Sequence, residues 1–377
     1  MTVYVDVSSA VHQKAGLKRY TECLVSALVP LLGERLALFH NGARQAEVPE
    51  AWGNLPRVAV AAGYKPWRAA VVARQALWLW MDSLLPGAQL FHATEHLLLP
   101  LSGIPTVMTV HDLVFERYPQ YHKVLNYRFL KASMPLFCQR AQAIIAVSES
   151  TKRDLVALYG VPAAKVTVIP EAAGPQFVTQ DPERVERVRR ALGLPPRYVL
   201  TVGTIEPRKN LSRLLGAMGP LFQDDVVDGL VLVGRQGWLY EGFFAELEAS
   251  PWRDRVILPG FVPDEDLPAI YAGAALTACP SLYEGFGLPV LEAMACGSPV
   301  CASDASSLPE VGGDAAAYFA PEDVEAMSAC LRAVLEDDSL RAQMAQAGLA
   351  RAAQFSWARA ARETADLYDV VIAEHGR

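Results

Sequence analysis

SLYEGFGLPVLEAMACGSPVCAS, residues 281–303, begins where an apolar strand ends at Pro280 and passes through a glycine loop into a helix. Gly285 and Gly287 let backbone amides approach a ligand closely, and a helix N-terminus beginning near Pro289 favours phosphate oxygens. Glu284 stands at the strand end, and Glu292 follows eight positions later on the helix. Carboxylates are poor partners for phosphate but accept from sugar hydroxyls, so this pair suits a hexose and a ribose flanking a diphosphate. The same residues also make a plain turn followed by a favourable first-turn acid, and both readings stand at this point.

Outward from this loop, β-branched apolar runs alternate with stretches of helical period, the pattern of a parallel sheet covered by helices. It occurs twice. Strands are expected at 3–7, 36–40, 90–93, 105–111 and 143–148, then at 197–203, 229–234, 255–260, 275–280 and 299–303. Helices are expected at 20–32, 210–218, 264–273, 290–297 and from Pro321 onward. A chain of 377 residues exceeds what one core usually supports. Two doubly wound α/β domains are expected, 1–173 and 174–355, with a hinge near 170–176. The amphipathic tail, about 356–377, needs a packing surface, which either domain offers.

Further motifs fall at strand ends. In VGTIEPRKNLSRLL (202–215) a strand ends at Gly203 and a helix starts near Asn210, with Arg208 and Lys209 where cations and free amides neutralise a diphosphate; a solvated basic pair is the plainer reading. In TVMTVHDLVF (106–115) an apolar strand runs into His111 and Asp112, and polar groups at the carboxyl end of a parallel strand face the ligand crevice. Gly16, in AGLKRYTECL, opens a loop before the first long helix. Asp264 and Asp266 form a D-x-D that reads as a helix start capped by Asp264 rather than as a metal site. No G-x-G-x-x-G follows the first strand and no phosphate-loop lysine motif occurs, which removes the main support for a dehydrogenase or a P-loop enzyme.

Composition bounds the rest. Hydrophobic residues make up 52% of the chain, as in an ordered globular protein. The six cysteines are scattered without zinc-site spacing, and the N-terminus lacks a signal-peptide pattern, so a reducing cytoplasm is expected. Through residue 173 there are 17 Lys+Arg against 12 Asp+Glu, and beyond it 17 against 29. A basic first half suits an anionic acceptor or a bilayer surface, or is simply a solvated face. The stretch 64–86 mixes Lys65, Arg68 and Arg74 with Trp67, Trp78 and Trp80; it reads as a packed helix or as a membrane contact.

In this order, these pieces resemble glycosyltransferase family 4 over nearly the whole chain. EGFGLPVLE is similar to the family's E-x(7)-E signature, EPRKNL to its phosphate-binding lysine region, HDL to its acceptor-side histidine segment, AGLKRYT to its N-terminal glycine loop and FVPDEDLPAIYAGA to its nucleotide-side helix. The resemblance implies a GT-B fold, two Rossmann-like domains facing a central cleft, and transfer of a sugar from a nucleotide with retention and without a metal or other cofactor. It implies that Glu284 contacts donor-sugar hydroxyls and Glu292 the ribose, with the amides of Phe286, Gly287 and Leu288 serving phosphate and sugar. Arg208 and Lys209 would stabilise the diphosphate beside Gly203. The base would lie against Phe261 and Val262, and Gly16 and His111 would border the reacting centre. The tail would cross back to the first domain. Thr204 stands where many members carry Arg, so one phosphate contact is expected to be absent. GTIEPRKNL is similar to mannosyltransferases of surface polysaccharides, which points to GDP-mannose as donor and a glycan or lipid-linked saccharide as acceptor, with no role for nucleic acid. A UDP-glucose-type transferase, a hydrolase or phosphorylase on the same fold, and a non-catalytic nucleotide-sugar binder are the alternatives.

Overall fold

The structure is a computed structural model and describes residues 2–12, 15–43, 48–260 and 262–375. The chain divides into two compact units, one comprising Met1–Glu116, Val124–Glu171 and Ser356–Arg377, the other Arg117–Lys123 and Ala172–Phe355.

The first unit holds seven strands: β1 (Thr2–Asp6), β2 (Leu36–Asn41), β3 (Arg57–Val60), β4 (Ala88–Ala93), β5 (Thr106–Val110), β6 (Ala143–Ala146) and β7 (Val166–Val168). All pair in parallel in the order β3-β2-β1-β4-β5-β6-β7. Chain order reverses between β1 and β4, and ligands of such sheets bind outside the strand ends at that reversal. One core cluster under this sheet gathers Phe39, Phe91, Met108, Ile144, Met134 and Phe137, all buried. The helix Trp357–His375 belongs to this unit and packs on the helix Ala15–Leu32, with the Trp357 ring edge-on to Tyr20. Gly16 was expected in a loop but is the second residue of the helix Ala15–Leu32. A Cβ there would meet nothing within 4 Å. An exposed glycine in a first turn weakens a helix by only about 1 kcal/mol or less, so packing of the long helix carries it through.

The second unit holds β8 (Tyr198–Val202), β9 (Gly229–Val233), β10 (Val256–Ile257), β11 (Leu276–Cys279), β12 (Val300–Ser303) and β13 (Ala316–Phe319), parallel and ordered β10-β9-β8-β11-β12-β13. Its reversal lies between β8 and β11. Leu214, Met218, Phe222, Leu232, Ala278, Cys301 and Leu331 form its core. Both sheets follow the doubly wound pattern expected of the sequence. The strands that the sequence reading omitted, β3, β7 and β13, are all sheet edges, where short strands need little continuous apolar sequence. The helix Leu267–Gly273 is capped at Asp266, not Asp264, and no side chain makes a cap hydrogen bond. Pro268 explains the shift, because its fixed φ suits the first helical turn.

Among the described residues no helix is long and apolar enough to cross a membrane. The 64–86 stretch divides in two. Its helix Tyr64–Ala76 buries Trp67, Val71 and Gln75, whereas Leu77 and Trp78 beyond it are 67% and 65% exposed, with Leu79 and Trp80 also exposed.

Candidate functional site

The site assembles at the β8–β11 reversal in the second unit. After β8 the chain reaches Gly203, then the single 3-10 turn Pro207–Lys209, then the helix Leu211–Gln223. Gly203 has φ +151°, and a Cβ there would lie 3.0 Å from Lys209 Cε. The absence of a side chain thus lets the Lys209 stem lie against the backbone. Asn210 adopts a left-handed φ of +59° and its amide donates to the carbonyls of Pro280 and Pro321 at 3.0 and 2.7 Å, clamping this turn to the loops after β11 and β13.

The loop after β11 carries Glu284. Lys209 Nζ donates to its Oε1 at 2.6 Å, and Arg208 Nη1 lies 2.7 Å from its Oε2. Arg208 also pairs with Glu206 Oε1 at 2.6 Å and donates to the Tyr283 carbonyl at 2.7 Å. Two cations and two carboxylates therefore interlock. Burial pushes the Glu284 carboxyl up, but the charges of Arg208 and Lys209, with hydrogen bonds from Lys209 and Ser281, outweigh it and hold the group at about 2. Glu284 is an anion at every physiological pH. Arg208 is largely saturated by its own neighbours and acts as a strut, whereas Lys209 has three donors on a flexible stem and one visible acceptor in Glu284.

The loop backbone is braced from the turn after β12. Glu284 N donates to Ser306 Oγ at 2.8 Å, and the Ser307 hydroxyl lies 2.6 and 2.9 Å from the carbonyls of Phe286 and Glu284. Gly287, at φ +115°, begins the helix Leu288–Ala295, and no side chain caps it. That φ favours glycine whatever the space, and a Cβ on Gly287 would in addition lie 2.8 Å from Leu308 Cδ2, displacing the leucine end. Pro289 carries no N–H and Val290 N donates to the Gly287 carbonyl at 3.0 Å, so an anion at this helix entrance would be met by the amide of Leu288 and those of the loop before it.

The two glutamates of the signature differ in setting. Glu292 is 1% exposed, and Tyr271 donates to its Oε2 at 3.0 Å. Tyr271 itself is buried edge-on to Phe177. Val262 lies outside regular elements and is partly buried, while Phe261 lies outside the described residues. In the first unit, His111 follows β5 and is buried; its Nδ1 sits 3.0 Å from Glu171 Oε1 and its Nε2 3.0 Å from the Thr94 carbonyl. The structure thus joins Gly203, Arg208, Lys209 and Glu284 directly in the second unit and places Phe286, Gly287, Leu288 and Glu292 on the same strand-to-helix segment. Sequence reasoning missed Glu206, Tyr271, Ser306 and Ser307 as supports in the second unit, and Glu171 and Thr94 beside His111. Only Glu206 carried a signal, lying two residues before Arg208 in EPRKN.

Residues 15–173 match the family model described as Glycosyltransferase Family 4, and residues 184–351 the model described as Glycosyl transferases group 1. Over 267 residues the chain is 36% identical to the O-antigen chain mannosyltransferase B of Escherichia coli, covering 70% of each chain. The chain belongs to glycosyltransferase family 4. This glycosyltransferase is also 32% identical over 271 residues to the serotype-specific mannosyltransferase WbdA of Escherichia coli, where the match covers 70% of the chain but about a third (33%) of that protein's length. Among solved structures, the sucrose-phosphate synthase of Thermosynechococcus elongatus superposes with a TM-score of 0.79 at 22% identity, covering 99% of this chain and 100% of that one. The fold of this glycosyltransferase is GT-B.

Proposed function

We propose that this glycosyltransferase transfers mannose from GDP-mannose to a glycan or lipid-linked saccharide, with retention and without a divalent metal. The observation that carries the reading is the convergence of Lys209, Arg208 and Glu284 at the sheet reversal beside an uncapped helix start. Lys209 and the amides from Phe286 to Leu288 receive the diphosphate, and Glu284, fixed as an anion, accepts from sugar hydroxyls. Gly203 leaves room for the phosphates, Glu292 serves the ribose with Tyr271 behind it, and Val262 borders the base. Gly16 and His111 stand on the acceptor side. The anomeric carbon–phosphate oxygen bond breaks as the acceptor oxygen bonds from the same face, and the acceptor proton passes to the departing phosphate. No carboxylate nucleophile is needed, because Glu284 is committed to two cations. The choice of mannose rests on the two mannosyltransferase relatives.

The same proposal places the protein at the cytoplasmic face of a membrane. The exposed run Leu77–Trp80 is flanked by cations, with the Arg140 guanidinium 4.2 Å from the Trp78 ring centre, a composition suited to the lipid interface. The test is to incubate the protein with GDP-mannose or UDP-glucose and saccharide acceptors and to read product and anomeric configuration by NMR. An α-mannoside is expected. Free sugar or a sugar phosphate would make it a hydrolase or phosphorylase, and binding without turnover a nucleotide-sugar receptor; a β-linked product would refute retention.

A further inference from the structure

His111 is enclosed by groups that only accept. A backbone carbonyl cannot donate, so Nε2, 3.0 Å from the Thr94 oxygen, carries a hydrogen. Nδ1 faces the Glu171 carboxylate at 3.0 Å, and where that carboxylate accepts, Nδ1 carries a hydrogen too. Both partners are buried, Glu171 in the loop after β7 and Thr94 just after β4. We propose that Glu171 is a positioning residue which holds His111 as a doubly protonated imidazolium, a fixed cation that cannot serve as a general base.

The surroundings agree with that charge. Tyr20, from the helix Ala15–Leu32, stands edge-on to the ring with centres 4.5 Å apart, leaving the two nitrogens to their acceptors. Asp112 adds negative charge from the next position in the chain. The His96 ring lies 6.3 Å away, near Glu95 and Asp112, and His92 lies on β4. Burial lowers the affinity of His111 for a proton, but the hydrogen bond and charge of Glu171, the Thr94 carbonyl and Asp112 carry it above the ordinary histidine value. Burial, reinforced by the positive His111, takes His92 down to about 3; burial and His111 also depress His96, to about 4 against the pull of Asp112 and Glu95. One histidine of the three holds the charge. His92 instead exchanges hydrogen bonds with the Tyr368 and Thr109 hydroxyls, at 2.5 and 2.8 Å.

A doubly protonated ring has no lone pair with which to take the acceptor's proton, so His111 contributes charge and a fixed shape while the departing phosphate takes the proton. This step rests on the proposed reading that His111 borders the transferred sugar; the state of the ring does not. The experiment is a ring-nitrogen NMR titration of histidine-labelled protein, with His111 assigned from the spectrum of His111→Gln. In the unaltered protein both His111 nitrogens should stay protonated above the ordinary histidine midpoint. In Glu171→Gln the midpoint should fall by about one pH unit or more. Activity carried by the charged ring is present below the midpoint and lost as pH rises through it, so the alkaline limb of kcat/KM should move down by the same amount, and Glu171→Asp should move it part of the way back. A neutral single tautomer in the unaltered protein would overturn the proposal, and so would a folded Glu171→Gln with an unmoved midpoint. A midpoint that moves while the alkaline limb stays would refute the use of this charge in the reaction. Should Glu171→Gln fail to fold, the unaltered protein's titration decides alone. Absence of turnover with every nucleotide sugar, beside a protonated ring, would refute the proposed function and leave the Glu171–His111 pair standing.

Discussion

Replacing Lys209 by alanine removes one charge from the interlocked set Glu206, Arg208, Lys209 and Glu284, and changes its sum from zero to −1. Glu284 is not abandoned, because Arg208 remains 2.7 Å from its other oxygen. The loss to the fold is then one charged hydrogen bond, about 1.5–3 kcal/mol. At about 2–4 °C per kcal/mol for a domain of this size, the melting temperature should fall by roughly 3–12 °C. For the donor the effect is larger in kind, since a diphosphate now meets a site of its own sign and loses the lysine contact. A charged contact of about 1.5–3 kcal/mol corresponds to roughly 10- to 150-fold in affinity. Guanosine carries no phosphate and should bind almost as before. Calorimetric titration of guanosine, GDP and GDP-mannose against the folded variant, with a thermal melt alongside, checks all three numbers. Equal weakening of guanosine and GDP-mannose would refute the phosphate role, as would unchanged binding of GDP-mannose.

Glu284→Gln keeps the shape but removes the anion, so kcat should fall by about 10²-fold or more while GDP still binds, read from steady-state kinetics and titration. Glu292→Gln should instead weaken GDP binding by about 1–3 kcal/mol and lower the melting temperature, because the buried Tyr271 hydroxyl loses a charged acceptor. Turnover should survive EDTA, since Lys209 supplies the charge at the diphosphate; loss restored by magnesium or manganese would overturn the metal-free mechanism. Trp78→Ser with Trp80→Ser should reduce co-sedimentation with vesicles containing anionic lipid while leaving turnover on a water-soluble acceptor intact.

The paired sheets were legible because central strands of a parallel sheet are buried on both faces and read as unbroken apolar runs. LALFH, MTV, VLTV and LTAC all became strands. Edge strands obey no such rule, and RVAV at β3 and VTV at β7 pass unnoticed among polar neighbours. Within the site, Glu284, Arg208 and Lys209 were legible as candidates only in combination, since each motif alone also reads as a turn or a solvated pair. Their mutual pairing was not, because residues 75 positions apart meet only through the β8–β11 adjacency. Glu171 was hidden for the same reason: in the sequence it is one charge in a hinge-like stretch, and only β5 and the end of β7 bring it to His111. Gly16 was misplaced because a glycine near a helix start looks the same whether it ends the loop or begins the helix.

The first unit is made from stretches of the polypeptide that lie on both sides of the second. Tyr20 and His92 find their partners Trp357 and Tyr368 on a helix that is synthesised only after the second unit. At about 5–20 residues per second, the intervening 185 or so residues take on the order of 10–40 s to synthesise. During that interval the earliest-made half waits with a buried histidine and a long helix uncovered. The second unit, continuous in sequence apart from one short segment, has no such delay. The first unit is therefore completed only after the second, and for the nascent chain the interval of half-built apolar surface falls on the segments that precede the second unit.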